Sequence, residues 1–214
     1  MLQYLRQAPA AASFMKKPQG GCSVFRSEGF VRIIAGSRKG VTLMAPKGMN
    51  TRPTLDRVKE SVFGILQFEL EGKTVLDLFA GSGGLGLEAL SRGAKFAVFN
   101  DKDRESVSVL RKNIEKLRFE EVSAVYSLDC SALLKRMAQD GQRFDIVFLD
   151  PPYEAGLLEK AMDELSTLGL LNRGFIVAAE HSPKKPPALM SGFSLRDSRR
   201  YGDVAVSFFV GEGG

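Results

Sequence analysis

Val75-Leu76-Asp77-Leu78-Phe79-Ala80-Gly81-Ser82-Gly83-Gly84-Leu85-Gly86 is the stretch on which the fold turns. An apolar run that reads as a strand passes into a glycine turn and then into the helical run Leu85–Ser91. Gly81, Gly83 and Gly86 have the G-x-G-x-x-G spacing of a nucleotide-binding strand–turn–helix unit. Glycine permits positive φ and lets a ligand approach the backbone closely. Such a unit places an acid about twenty residues on, where it can grip ribose hydroxyls. Asp101 stands there, directly after a second apolar strand, Phe96–Asn100. The glycine spacing by itself is shared with dinucleotide-binding domains, so it fixes the architecture before it fixes the ligand.

Outward from this unit the chain alternates. Strands are expected at 74–79, 96–100, 122–127, 144–149, 174–180, 193–199 and 203–210. Helices are expected at 103–118, 130–139 and 156–168; the first starts at Asp103 and carries Val107, Leu110, Ile114 and Leu117 at helical spacing. Alternation of this kind implies a mostly parallel sheet with helices on both faces. The short link Arg199-Arg200-Tyr201-Gly202 implies a hairpin, hence an antiparallel last strand. Ligands of such sheets bind beyond the carboxyl ends of the strands. Asp77, Gly81, Asp101, Asp129 and Asp150 all fall at or near those ends.

The second informative stretch is Asp150-Pro151-Pro152-Tyr153, after the apolar run Phe144–Leu149. Proline fixes φ and donates no N–H, so this turn is stiff and its carbonyls are free to accept. Asp150 adds an acceptor and Tyr153 a flat face for stacking. That set suits a planar group bearing an NH₂, such as a nucleobase amine, and hydride chemistry has no need of it. Asp77, four residues before Gly81, can face a ligand ammonium group. Together these two features favour S-adenosylmethionine over NAD.

Composition narrows the class. The 214 residues suit one α/β domain with a small appendage, and 44% hydrophobic residues suit an ordinary core. No apolar run reaches the ~20 residues of a membrane span. Cys22 and Cys130 form no Cys-x-x-Cys motif, which excludes a disulfide framework and a cysteine zinc site and suits a reducing, cytoplasmic setting. His181 is the sole histidine and reads as structural; no metal is expected. Residues 1–72 carry 11 Lys+Arg and 5 Asp+Glu, whereas 73–214 carry 19 and 20. The positive charge therefore belongs to the first third, which points to a polyanionic partner.

That first third divides in two. Residues 1–28 show no sustained apolar period and read as a poorly ordered extension. Their acid-free, Arg-containing start suits an organelle transit peptide, or an upstream start codon with Met15 as the true start. Residues 29–72 read as a β-hairpin and helix appended to a domain at 73–214. Val31–Ile34 and Val41–Met44 are strand candidates joined by the basic tip Gly36-Ser37-Arg38-Lys39-Gly40. A helix begins near Thr54 and buries Leu55, Val58, Val62, Ile65 and Leu66. Arg38, Lys39, Arg52 and Arg57 are the expected RNA contacts, the last two near the cleft mouth.

At this point the chain resembles a known family. Val75–Gly86 is similar to motif I of class I S-adenosylmethionine-dependent methyltransferases, and Asp150–Tyr153 to the amino-methyltransferase signature. With Val31–Gly36, Thr51-Arg52-Pro53-Thr54-Leu55-Asp56-Arg57-Val58-Lys59-Glu60 and Tyr201-Gly202-Asp203, the chain resembles the RsmD family across roughly 29–210. These are bacterial methyltransferases of small-subunit (16S) ribosomal RNA that act on guanine N2. Asn100, where an apolar residue is usual, is a departure at the end of the second strand.

The resemblance implies a Rossmann-like fold with a seven-stranded sheet, S-adenosyl-L-methionine as cofactor and a monomer acting on ribosomal RNA in a small subunit or its assembly intermediate. It implies that Asp77, Gly81, Ser82, Gly83, Asp101, Lys102, Asp129 and Cys130 hold the cofactor. Asp150, Pro151 and Tyr153 then act on the base. The residues alone leave open an adenine-N6 or DNA amino-methyltransferase and a non-catalytic RNA-binding scaffold. Glutamine methylation favours Asn before Pro-Pro, and Asp150 speaks against it.

Overall fold

Val75 and Leu76 are both fully buried, on opposite faces of strand β1 (Thr74–Asp77), so this strand must lie inside a sheet covered on both sides. The computed structural model, which describes residues 31–46, 53–152 and 156–211, places it there. The other strands are β2 (Phe96–Asn100), β3 (Ser123–Tyr126), β4 (Phe144–Leu149), β5 (Leu171–His181), β6 (Phe193–Tyr201) and β7 (Val204–Gly211). Their order is β3-β2-β1-β4-β5-β7-β6. β1 to β5 pair in parallel, and β7 runs antiparallel between β5 and β6. The strand order reverses direction between β1 and β4, which opens the crevice where ligands of doubly wound sheets bind.

The helices are α1 (Pro53–Ile65), α2 (Gly84–Ser91), α3 (Arg104–Leu117), α4 (Cys130–Gln139) and α5 (Leu157–Thr167). Successive strand residues feed different layers, as a period of two requires. Val75, Ile146, Phe148, Ala178 and Phe208 pack with Val58, Val62 and Phe63 of α1, Leu87 of α2 and Leu110 of α3. Leu76, Val147, Leu149, Val177 and Phe209 pack with Leu133 of α4 and Met162 of α5. Each fully buried Phe or Leu contributes about 1.5–3 kcal/mol. Asp103 starts α3 by accepting the N–H groups of Ser106 (2.9 Å) and Glu105 (3.4 Å).

The seven-stranded, mostly parallel sheet with an antiparallel last strand matches the expectation from sequence; several boundaries move. β1 is shorter, ending at Asp77, although Leu78 N–H still reaches Phe148 O (3.2 Å) and Ala80 N–H reaches Asn100 O (2.9 Å) as the chain enters the glycine turn. β6 runs on to Tyr201, so the hairpin closes through the two residues Gly202 and Asp203. The two strands expected in the first hairpin shrink to one antiparallel bridge, Arg32↔Thr42, with Ile33 N–H to Val41 O (2.9 Å) and Leu43 N–H to Val31 O (2.7 Å). Among the described residues no neighbouring strand extends that pair. Ile33 and Leu43 instead sink into the core shared with α1, α2 and the sheet. The extension at 1–28 lies outside the described residues.

Asn100, the departure at the end of β2, is a strut. Its amide donates to Leu78 O (3.3 Å) and Leu128 O (3.1 Å), and its Oδ1 accepts from Leu128 N–H (3.1 Å). It ties the chain leaving β1 and β3 to β2 at the edge where the functional residues gather.

Candidate active site

The glycine turn is held by carboxylates on both sides. Asp77 is buried at the end of β1, and its Oδ2 accepts the Gly86 N–H at 2.9 Å, pinning the start of α2 to the strand. Asp101 Oδ2 accepts the Gly81 N–H at 2.8 Å, and its Oδ1 accepts the Asp103 N–H at 2.9 Å. The three glycines serve different ends. A Cβ on Gly86 would lie 2.2 Å from Phe99, and one on Gly83 2.4 Å from Leu110, so both permit close packing. A Cβ on Gly81 would meet nothing within 4 Å, although φ is +53°. Gly81 therefore borders open space over the strand ends. The Ser82 carbonyl accepts from Asn113 Nδ2 at 2.9 Å, which fixes the rest of the turn against α3.

Asp77 senses two other carboxylates here. Burial raises the Asp77 pKa to about 7; the Gly86 N–H opposes this, and the charges of Asp150 and then Asp101 add to it. Asp129 caps α4 by accepting the Ser131 N–H at 3.0 Å, and Lys102 is exposed. Cys130 is buried, and burial followed by the charge of Asp129 pushes its thiol up, so it packs rather than reacts.

β4 and β5 pair with Leu149 opposite Ala179. The next residues, Asp150 and Glu180, therefore leave neighbouring parallel strands side by side. Asp150 is exposed at the strand end, and the protein packed around its carboxyl strips away part of its water. That desolvation raises its pKa to about 6, and a hydrogen bond with the Glu180 carboxyl acts against the rise. Glu180 lines an otherwise apolar recess with Val58 and Val62 of α1, Leu85 of α2 and Val206 of β7. Pro151 is buried and Pro152 exposed. Tyr153 lies outside the described residues.

The basic residues fall in two places, the hairpin tip and α1. Arg38 donates from Nε to Leu117 O at 2.7 Å and lies over the Phe119 ring, 5.4 Å from its centroid. Ser37 N–H bonds Ser91 O at 2.7 Å. The hairpin tip thus rests on the carboxyl ends of α2 and α3, at the opposite edge of the sheet from Asp150. A helix the length of α3 spans roughly 20 Å. Arg38 and Lys39 are therefore separated from the site, and Arg38 is already engaged in the fold. Arg57 is exposed on α1, beside Val58 of the recess wall. Arg52 lies outside the described residues.

Several site-building residues escaped the sequence reading. Glu88 is fully buried and accepts from the N–H groups of Ile34 (2.7 Å) and Ala35 (2.9 Å) and from Arg92 Nε (2.8 Å), with Lys59 Nζ at 3.2 Å. Its signal was an acid inside the apolar helix Gly84–Ser91. Asn113 is fully buried and also holds Met44; its signal was an amide on the apolar stripe of Leu110, Ile114 and Leu117. Glu180 gave no signal, because its partner is thirty residues away in sequence and adjacent only through strand pairing. His181 is buried and bonds Ser207 Oγ at 2.8 Å, in keeping with its structural reading. Among the described residues no group of His, Cys, Asp and Glu could hold a metal ion, and no helix is long and apolar enough to cross a membrane.

Residues 31–210 match the family described as Conserved hypothetical protein 95. The chain is 37% identical over 199 residues to the ribosomal RNA small subunit methyltransferase D of Escherichia coli (strain K12), covering 92% of this chain and 96% of the relative. It is 34% identical over 183 residues to the protein of the same name from Haemophilus influenzae, covering 86% and 95%. The solved structure of yhhF from Escherichia coli superposes with a TM-score of 0.76 at 32% identity, covering 87% of this chain and all of that one.

Proposed function

The chain belongs to the Conserved hypothetical protein 95 family, the RsmD family of ribosomal RNA methyltransferases, and from that premise we propose that it methylates the exocyclic N2 of a guanine in small-subunit (16S) ribosomal RNA, with S-adenosyl-L-methionine as donor. The observation that carries the reading is the set of carboxylates Asp77, Asp101 and Asp150 at the ends of the neighbouring strands β1, β2 and β4, with the charges of Asp150 and Asp101 acting on Asp77. Converging carboxylates favour a cationic ligand. The donor, when bound, supplies a methyl group on a positively charged sulfur.

Asp77 and the Gly81–Gly83 backbone would hold its amino-acid end, Asp101 its ribose hydroxyls, and Asp129 its adenine amine, with Ser82, Lys102 and Cys130 bordering the same strand ends. The chain's own residues then act on the base. The guanine N2 lone pair is delocalised into the ring, so the amine is a poor nucleophile. Asp150 and the Pro151 carbonyl accept its two N–H groups and fix the direction of the nitrogen. Such positioning can supply ~7–11 kcal/mol. As nitrogen becomes positive, the Asp150 carboxylate opposes the charge and takes the released proton. Tyr153 stacks on a base flipped out of its helix or loop. Arg57, on α1, contacts phosphates beside the recess, and Arg52 is a second phosphate contact. The protein works as a monomer in the cytoplasm on the subunit or an assembly intermediate.

The test is methyl transfer from labelled donor into small-subunit RNA, followed by digestion to nucleosides. N2-methylguanosine is the expected product. N6-methyladenosine would overturn the guanine assignment, and cofactor binding without transfer to any RNA would mean a binding scaffold.

A further inference from the structure

Two acids stand side by side where the proposed chemistry needs one. Asp150 suffices to accept from an amine and to take its proton. Glu180 leaves β5 in register with it, and their carboxyls are hydrogen-bonded. Asp77, at the end of neighbouring β1, feels the charge of Asp150, and Glu180 shares its recess with Val58 and Val62 of α1, Leu85 of α2 and Val206 of β7. A planar base laid against the carboxyl ends of β4 and β5 meets two acceptors in a row.

Guanine carries donors on two adjacent atoms of its Watson–Crick edge, N1–H and N2–H. Adenine carries one amine, N6, beside an N1 lone pair. We propose that Glu180 selects the base: it accepts the guanine N1–H while Asp150 accepts an N2–H, and it turns away a base whose ring nitrogen offers a lone pair. The inference rests on the proposed transfer to guanine N2 and assigns its specificity to one residue. A site built to pair with a donor rejects the analogue that lacks it, because its acceptor is then left without a partner.

The experiment uses synthetic RNA with guanine, 2-aminopurine or inosine at the position methylated by the wild-type protein. 2-Aminopurine keeps the amine but offers a lone pair at N1; inosine keeps N1–H and lacks the amine. The wild type should favour guanine over 2-aminopurine by roughly ten- to a hundredfold in kcat/KM, the span of one hydrogen bond to a charged group. Glu180→Gln should bring that ratio to within about threefold of unity, through a higher KM for guanine RNA rather than a lower kcat, and should be inhibited less by inosine RNA. Glu180→Asp, which keeps the charge one methylene back, should restore part of the preference. Thermal unfolding and cofactor binding of both variants identify any misfolded protein, and the wild-type ratio stands without them. A wild-type enzyme that methylates guanine and 2-aminopurine equally, or a folded Glu180→Gln that keeps the full preference, overturns the role of Glu180 and leaves guanine-N2 transfer intact. Failure of the wild type to methylate guanine at all refutes the underlying reading instead.

Discussion

Replacing Asp101 by alanine removes three contacts of unequal worth. The Asp101 carboxylate accepts the Gly81 N–H at 2.8 Å and the Asp103 N–H at 2.9 Å, and in the proposed complex it also accepts from the ribose. A hydrogen bond to a charged group is worth about 1.5–3 kcal/mol. Asp101 is half-buried, so water replaces the carboxylate at the two backbone N–H groups in the free protein and reduces those losses. The ribose contact is lost in full, which lowers cofactor affinity by roughly ten- to a hundredfold. Release of the Gly81 N–H loosens the loop and pushes the result towards the upper figure. Asp101→Asn keeps an acceptor for one backbone N–H and should fall between alanine and wild type. Calorimetric titration with S-adenosylhomocysteine gives the affinities. Thermal unfolding without ligand gives the stability cost, and at roughly 2–4 °C per kcal/mol for a chain of this size it should stay within a few degrees. Unchanged affinity in Asp101→Ala would falsify the ribose assignment. A loss of affinity matched by general unfolding would show that Asp101 only braces the loop.

Asp150→Ala should abolish transfer while cofactor affinity stays within a few-fold, and measurable turnover by this variant would end the proposed mechanism. Because Asp150 is raised to about 6, its carboxyl is protonated and unable to accept below that pH, so kcat/KM for RNA should rise as pH increases through about 6. Asp77 is raised to about 7, so the folded state holds its proton more tightly than the unfolded state, and stability should decline as pH rises from about 4 to about 7. Asp77→Asn should flatten that decline in unfolding curves taken across the range, and a wild-type curve without it would contradict the burial. Glu88→Ala removes the buried carboxylate that faces Lys59 and Arg92 and accepts the Ile34 and Ala35 N–H groups, and should cost about 3–5 kcal/mol, read as denaturant midpoint. Lys39→Ala should leave stability unchanged, whereas Arg38→Ala should lower it through loss of the Leu117 and Phe119 contacts. If both variants leave the salt dependence of RNA affinity equal to wild type, RNA does not reach the hairpin tip.

The order of strands and helices was legible in the sequence because it rests on local periodicity. Val75–Asp77 and Phe144–Leu149 are apolar on both faces and are bounded by glycine and proline turns, so no other placement would bury them. The strand-end carboxylates were legible for the same reason: Asp77, Asp101 and Asp150 each follow an apolar run, and parallel pairing brings all such ends to one edge. What the sequence could not give was any relation between residues that lie far apart in the chain. The docking of Arg38 on Leu117, the buried Lys59–Glu88 pair and the contact of Asp150 with Glu180 each depend on how separate elements pack. A charged residue carries no local sign of which partner will meet it. Arg38 therefore read as a surface cation until the packing of the hairpin on α3 gave it a carbonyl and a ring. Glu180 read as the end of a strand until β5 paired with β4 and set its carboxyl beside Asp150.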